Sequence, residues 1–211
     1  MILYSLFASP IILLTITALF GSAAVVKQVF VSFGKGLLAF FPVYAVILVI
    51  RRIISAPFDS PLLYFDVLFT DFLFPLIFAG LLFMLLSYRQ MNDTKQNQVF
   101  VTAAFLSGFY TLYGLAELLQ LGGIYDAYIL FYRPTLWVGI IIFLPICIQG
   151  IFSEYGTRKL IYAGLLLLQL LLFTFIPVLW VLNYHTLSFL LLLILTGAAG
   201  TGIYFFGRSL V

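Results

Sequence analysis

Two acids stand where acids are expensive, and they are the first candidates for chemistry. Asp71 lies in the stretch 64–88, YFDVLFTDFLFPLIFAGLLFMLLSY. An α-helix crosses the hydrocarbon core of a bilayer in about 20 apolar residues. Counting back from Tyr88, just before Arg89, such a crossing begins near Phe69 and leaves Asp71 inside it, close to the surface. Pro75 follows four residues later and has no N–H to give to the carbonyl at i−4, which is that of Asp71. A carboxylate and a freed backbone oxygen then share one level of one helix, an arrangement suited to an ion, a proton or a polar ligand.

Glu117 is the second acid. On the run 99–121, Ser107, Tyr110, Thr111, Gly114, Glu117 and Gln120 recur at helical spacing and make one polar stripe, with Tyr113 beside it. Glu117 falls near the end of that stripe, at a depth similar to Asp71. Consecutive spans joined by a short loop are usually neighbours, so the expectation is a carboxylate pair facing an outward-open cleft. Arg51, Arg133 and His185, the only histidine, fall on the same side, together with Tyr110 and Tyr113 as candidate ligands. A purely structural reading stands beside this one. The N-terminal end of a helix favours a negative charge at Asp71, Glu117 snorkels or pairs with Arg51 or Arg133, and Pro75 only shapes packing. The residues alone leave both open.

The elements that must hold these groups are helices in a membrane. Hydrophobic residues make up 64% of the 211 residues and charged residues 8%, and the mean hydropathy is +1.23. A water-soluble domain carries about a quarter charged residues. The expectation is an all-α fold, one transmembrane helical domain over residues 1–211, with no soluble domain. The net charge of +3 comes from Lys and Arg scattered singly or in pairs between apolar runs, which sets topology and gives no nucleic-acid signal. Cys147, the only cysteine, lies inside an apolar run and forms no intrachain disulfide. The first apolar run lacks the basic start of a signal peptide and reads as a retained span.

Seven apolar segments are expected, over about 3–26, 36–50, 64–88, 99–121, 135–152, 160–182 and 186–206. Arg51-Arg52 close the second, and Ser60-Pro61 is a plausible start for the third. The run 124–133, IYDAYILFYR, is aromatic and short, and reads as an interfacial segment. With the N-terminus outside, Lys27, Lys35, Arg89, Lys95, Arg158, Lys159 and Arg208 fall inside and Arg51, Arg52 and Arg133 outside, seven against three. Cytoplasmic loops carry the excess of Lys and Arg, so the C-terminus is expected in the cytoplasm and, in a bacterium, the chain in the cytoplasmic membrane.

Small residues four apart in the last segment, among Gly197, Ala198, Gly200 and Gly202, read as a packing seam inside the bundle or against a partner. Gln169, near a span's midpoint, is expected to hydrogen-bond a neighbouring helix. His185, at a short turn, reads first as an interface residue. No lysine lies in the last segment for a retinal Schiff base. One histidine cannot ligate haem from both sides, and HExxH, GxSxG, GxxxxGK[ST] and GxGD are all absent. No cofactor or metal is expected. The functions this leaves are a non-enzymatic subunit of a membrane complex, a small transporter or ion-coupled carrier built on Asp71 and Glu117, and a membrane-embedded enzyme acting on a lipid. Its partners are the lipid bilayer and a protein or second copy met through transmembrane helices.

Overall fold

Every apolar run becomes helix. The computed structural model describes residues 2–20, 23–53, 63–87, 95–120 and 128–210, and among these there is no strand. In chain order the elements are α1 (Ile2–Phe20), α2 (Ala23–Ile53), α3 (Leu63–Val67), a π-helical stretch (Leu68–Leu73), α4 (Phe74–Ser87), α5 (Lys95–Gln120), a π-helical turn (Tyr128–Tyr132), α6 (Arg133–Ser153), α7 (Thr157–Val181) and α8 (His185–Leu210). Four stretches, Val25–Arg52, Gln98–Gln120, Leu130–Phe152 and Thr157–Val181, are long and apolar enough to cross a membrane. Among the described residues there are also the apolar helical pieces Leu6–Thr15, Phe74–Ser87 and His185–Ala198.

The core gathers around α5. Phe105, Phe109, Tyr110 and Tyr113 on α5 are fully buried, and they cluster with Val43 and Ile47 of α2, Leu136 and Ile140 of α6, and Phe173 and Ile176 of α7. α5 packs most extensively on α2, then on α6 and α1, and only marginally on α4. α2 and α5 run parallel and touch backbone to backbone. A Cβ added at Gly36 would fall on the Phe105 carbonyl, and one at Gly108 on the Phe33 carbonyl. One turn before each glycine sits another small buried residue, Ser32 and Ala104. The Ser32 hydroxyl donates to the Val101 carbonyl at 2.7 Å and ties the two helices at the same level.

Three boundaries differ from the sequence expectation. The stretch from Lys27 to Lys35 is helix, so α2 begins by Ala23 and is 31 residues long, about 46 Å. Val25 and Val29 are buried against Leu13, Phe100 and Ala104, which holds this part of the helix in place, while Lys27 stays exposed. Lysine stems lie along apolar surface with the charge reaching out, so a lysine does not end a helix. The second difference concerns 124–133. Its described part, from Tyr128, runs directly into α6 as a π-helical turn, with no separate interfacial segment there. Pro134 is the second residue of α6 and directly follows this wide turn, which leaves room for its ring.

The third difference is at Pro75. The turn before it is π-helical, and the Phe74 N–H bonds to the Phe69 carbonyl, five residues back. Widening the turn is one way to accommodate a proline ring that would meet the carbonyl four residues earlier. At the other end of α7 the chain reverses sharply. The Tyr184 N–H bonds to the Leu179 carbonyl at 2.9 Å and the Asn183 N–H to the Trp180 carbonyl at 3.0 Å. Asn183 has a φ of 64°, a left-handed closure that asparagine adopts more readily than most residues.

Candidate functional site

Glu117 sits at the meeting point of three helices. It lies one turn after Tyr113 on α5 and is buried, with 7% of its surface exposed. Arg51, in the last turn of α2, brings Nη1 to 2.7 Å from Glu117 Oε1. Arg133, the first residue of α6, brings its own Nη1 to 2.8 Å from Oε2. Both carboxylate oxygens therefore accept a charge-assisted hydrogen bond, the stronger kind. The parallel course of α2 and α5 puts Arg51 and Glu117 at one end of the bundle, and α6 begins at that end.

Aromatic side chains wall the cluster. Arg51 Nη2 donates to the Tyr113 hydroxyl at 3.0 Å. The Tyr113 ring meets Tyr44 edge-on at 5.6 Å and Trp137 edge-on at 5.7 Å. Tyr110 stacks on Trp137 at 5.5 Å, and the Arg133 guanidinium lies 5.7 Å from the centre of the Trp137 ring. These rings and the burial of Glu117 lower the local dielectric and strengthen the ion pairs, more so for Arg133 than for the part-exposed Arg51. The Tyr44 hydroxyl is also buried here and makes no hydrogen bond.

The sequence candidates divide accordingly. Arg51, Tyr110, Tyr113, Glu117 and Arg133 come together. The polar stripe of α5 is mostly buried: Ser107, Tyr110, Gly114 and Glu117 face other helices, and only Gln120 is exposed. An outward-open cleft at Glu117 is thus replaced by a packed joint. α4 does neighbour α5, but only marginally; the close partner is α2, through Gly36 and Gly108. Asp71 has its backbone in the π-helical stretch, and its side chain lies outside the described residues.

His185 is exposed at the start of α8, with its ring 4.3 Å from that of Trp180, which in turn lies 4.6 Å from Tyr132. It stands at the same end of the bundle, and this row of rings ends at Tyr132, the residue before Arg133. Gly197 and Ala198 are exposed, and nothing lies within 4 Å of a Cβ built on Gly197. The surroundings of Gly200 and Gly202 lie outside the described residues. Gln169 is buried, yet neither its amide nitrogen nor its oxygen has a hydrogen-bond partner, contrary to expectation.

Tyr44 and Trp137 were not among the sequence candidates. Their only signal is aromatic character at helical spacing, which this chain shows almost everywhere. No group of His, Cys, Asp and Glu able to hold a metal occurs among the described residues. Fold and site together define an all-helical bundle, with apolar helices compatible with a membrane, in which a buried carboxylate is clamped by two arginines. The chain matches no family model, no curated protein and no solved structure.

Proposed function

We propose that this is a multi-pass integral membrane protein of seven spans, acting as a non-enzymatic component of a larger membrane assembly. The observation that carries this reading is the double clamp on Glu117. A carboxylate that carries an ion or a proton has to exchange partners during its cycle. Glu117 instead has one arginine on each oxygen in a buried joint, where breaking the whole set of ion pairs costs about 3–5 kcal/mol. The clamp fixes α2, α5 and α6 to one another and serves as a strut. Outside that core, Gly197 on α8 presents bare backbone with open space around it, so a helix of a partner or of a second copy can approach closely there. The test is purification in a mild detergent followed by mass spectrometry of what stays bound. A protein, or a second copy, in stoichiometric amount is the expected result; a monomer carrying none refutes the reading.

The seven-span arrangement has its own support. An alternation of successive helices between the two ends of the bundle is supported by Lys35 bonding near the end of α4, by Gly139 and Gly150 of α6 meeting Phe173 and Tyr162 of α7, and by Ser188 bonding back to Ile176. Arg51 and Arg133 share one end, and Lys35, Arg158 and Lys159 lie toward the other. With the basic excess in the cytoplasm, the C-terminus is cytoplasmic and the Asn183 turn is outside. A reporter active only in the cytoplasm is expected to work when fused after Val211 and to fail when inserted at Asn183. Equal activity at both positions would mean an even number of crossings between them.

A further inference from the structure

At the Lys35 end, the side of the bundle opens between α4 and α6, with α5 as the floor. α4 packs on α2 and barely on α5, while α6 packs on the other flank of α5. The gap is a cavity of about 560 Å³, inside the ~300–1,000 Å³ range of small-ligand clefts. Its walls are Gly80 and Phe83 of α4, Phe105 and Leu106 of α5, and Leu144 and Ile148 of α6. Met84 and Phe152, both well exposed, stand at its rim. Nothing lies within 4 Å of a Cβ built on Gly80, so backbone forms that part of the wall.

The polar residues of the cavity gather at one end. Gln98 and Thr102 are one turn apart near the start of α5, and Gln149 is near the end of α6. From Gln98 to Leu106 the cavity follows α5 for about 12 Å, most of the roughly 15 Å that one leaflet contributes to the hydrocarbon core. Beyond Gln149 and Phe152 on the chain, Glu154 is followed by Arg158, which pairs with it at 3.7 Å, and by Lys159. The Lys35 ammonium donates to the Leu86 carbonyl at 2.8 Å, which places it at the end of α4 and near the rim.

We infer that this cavity seats one acyl chain of an anionic phospholipid, with the headgroup beside Gln98 and Gln149. The inference rests on the reading of the chain as embedded in a bilayer. Water has too few polar partners along such walls, and an empty space would forfeit the dispersion contacts of every side chain lining it. An acyl chain restores those contacts. The change from apolar wall to polar end and basic surroundings follows the order of tail and headgroup in a leaflet, and the basic excess selects a negative headgroup.

The test uses the full chain in vesicles of phosphatidylglycerol and phosphatidylcholine, one of the two carrying a photoactivatable acyl chain. Flotation measures insertion, and mass spectrometry locates the crosslinks. Crosslinks are expected to concentrate on residues 80–84, 98–106 and 144–152, about fivefold stronger from the anionic lipid. Gly80→Trp, which fills the cavity, is expected to abolish them, and Gln149→Glu to weaken only the anionic signal. Leu144→Trp fills the cavity from the opposite wall and covers the case in which Gly80→Trp misfolds. Even labelling of lipid-facing positions such as Leu167 and Ile194, unaltered by either tryptophan, would overturn the site. Equal labelling by the two lipids would overturn the anionic headgroup. Failure to float with the vesicles would overturn the bilayer reading, and the site with it.

Discussion

Glu117→Ala is expected to lose about 3–5 kcal/mol of stability, because it removes the charge that two arginines share in a buried joint. Arg51 and Arg133 would then face the same space with no carboxylate between them, and like charges repel strongly where the dielectric is low. Arg51→Met and Arg133→Met should each cost less, since either leaves Glu117 with one guanidinium still hydrogen-bonded to it. The triple variant Arg51→Met, Glu117→Leu, Arg133→Met should recover most of the loss, because a buried ion triad is often no more stabilising than apolar residues of similar volume. The chain carries its own reporter. Cys147 is the only cysteine and is buried, so a thiol-reactive dye applied during heating in mild detergent reads global unfolding. Wild-type melting of Glu117→Ala would show that the clamp holds nothing. A triple variant that melts and assembles normally but no longer supports transport would give the acid a working role and favour the carrier reading.

The helical class and most helix positions were legible in the sequence because long apolar runs leave the backbone no other way to satisfy its hydrogen bonds in lipid. The turn at Asn183 was legible too, since polar residues between two apolar runs have one place to go. The clamp was half legible. Burial makes a lone intramembrane acid seek a cation, and Arg51 and Arg133 were the cations on its side. What sequence order could not supply was which helix packs on α5. Adjacency favoured α4, whereas the close partner is α2, and that choice is made by bare backbone at Gly36 and Gly108. The signal was present: Ser32 with Gly36 and Ala104 with Gly108 are small residues four apart. The longer run Gly197 to Gly202 is the more conspicuous pattern, yet nothing lies within 4 Å of a Cβ built on Gly197, its described glycine. Lys27 and Lys35 misled for a related reason, because charge marks the membrane surface and not the end of a helix.

The crossing of α2 and α5 yields the second large effect. A methyl group at Gly36 would fall on the Phe105 carbonyl, and one at Gly108 on the Phe33 carbonyl. The atom in the way is backbone in both cases, so no rotamer change relieves the clash and the helices themselves must separate. Overpacking of a tight core costs about 1–3 kcal/mol, occasionally more, and Gly36→Ala or Gly108→Ala should reach that range. Leucine at either position should prevent the native packing altogether. The damage should also travel. Arg51 is fifteen residues along α2 from Gly36, about 22 Å. Pushing the helices apart at Gly36 therefore also draws Arg51 away from Glu117, whose carboxylate it meets at 2.7 Å. Gly36→Ala combined with the apolar triple variant checks this: at such a distance losses normally add, so a combined loss smaller than the sum would show that the displacement reaches the clamp. Gly197→Leu is the control: nothing stands near that position, so the isolated chain should protect Cys147 as well as wild type does. If Gly36→Leu and Gly108→Leu also protect Cys147 normally, the two helices do not touch at these glycines, and the packing of α2 on α5 has to be redrawn.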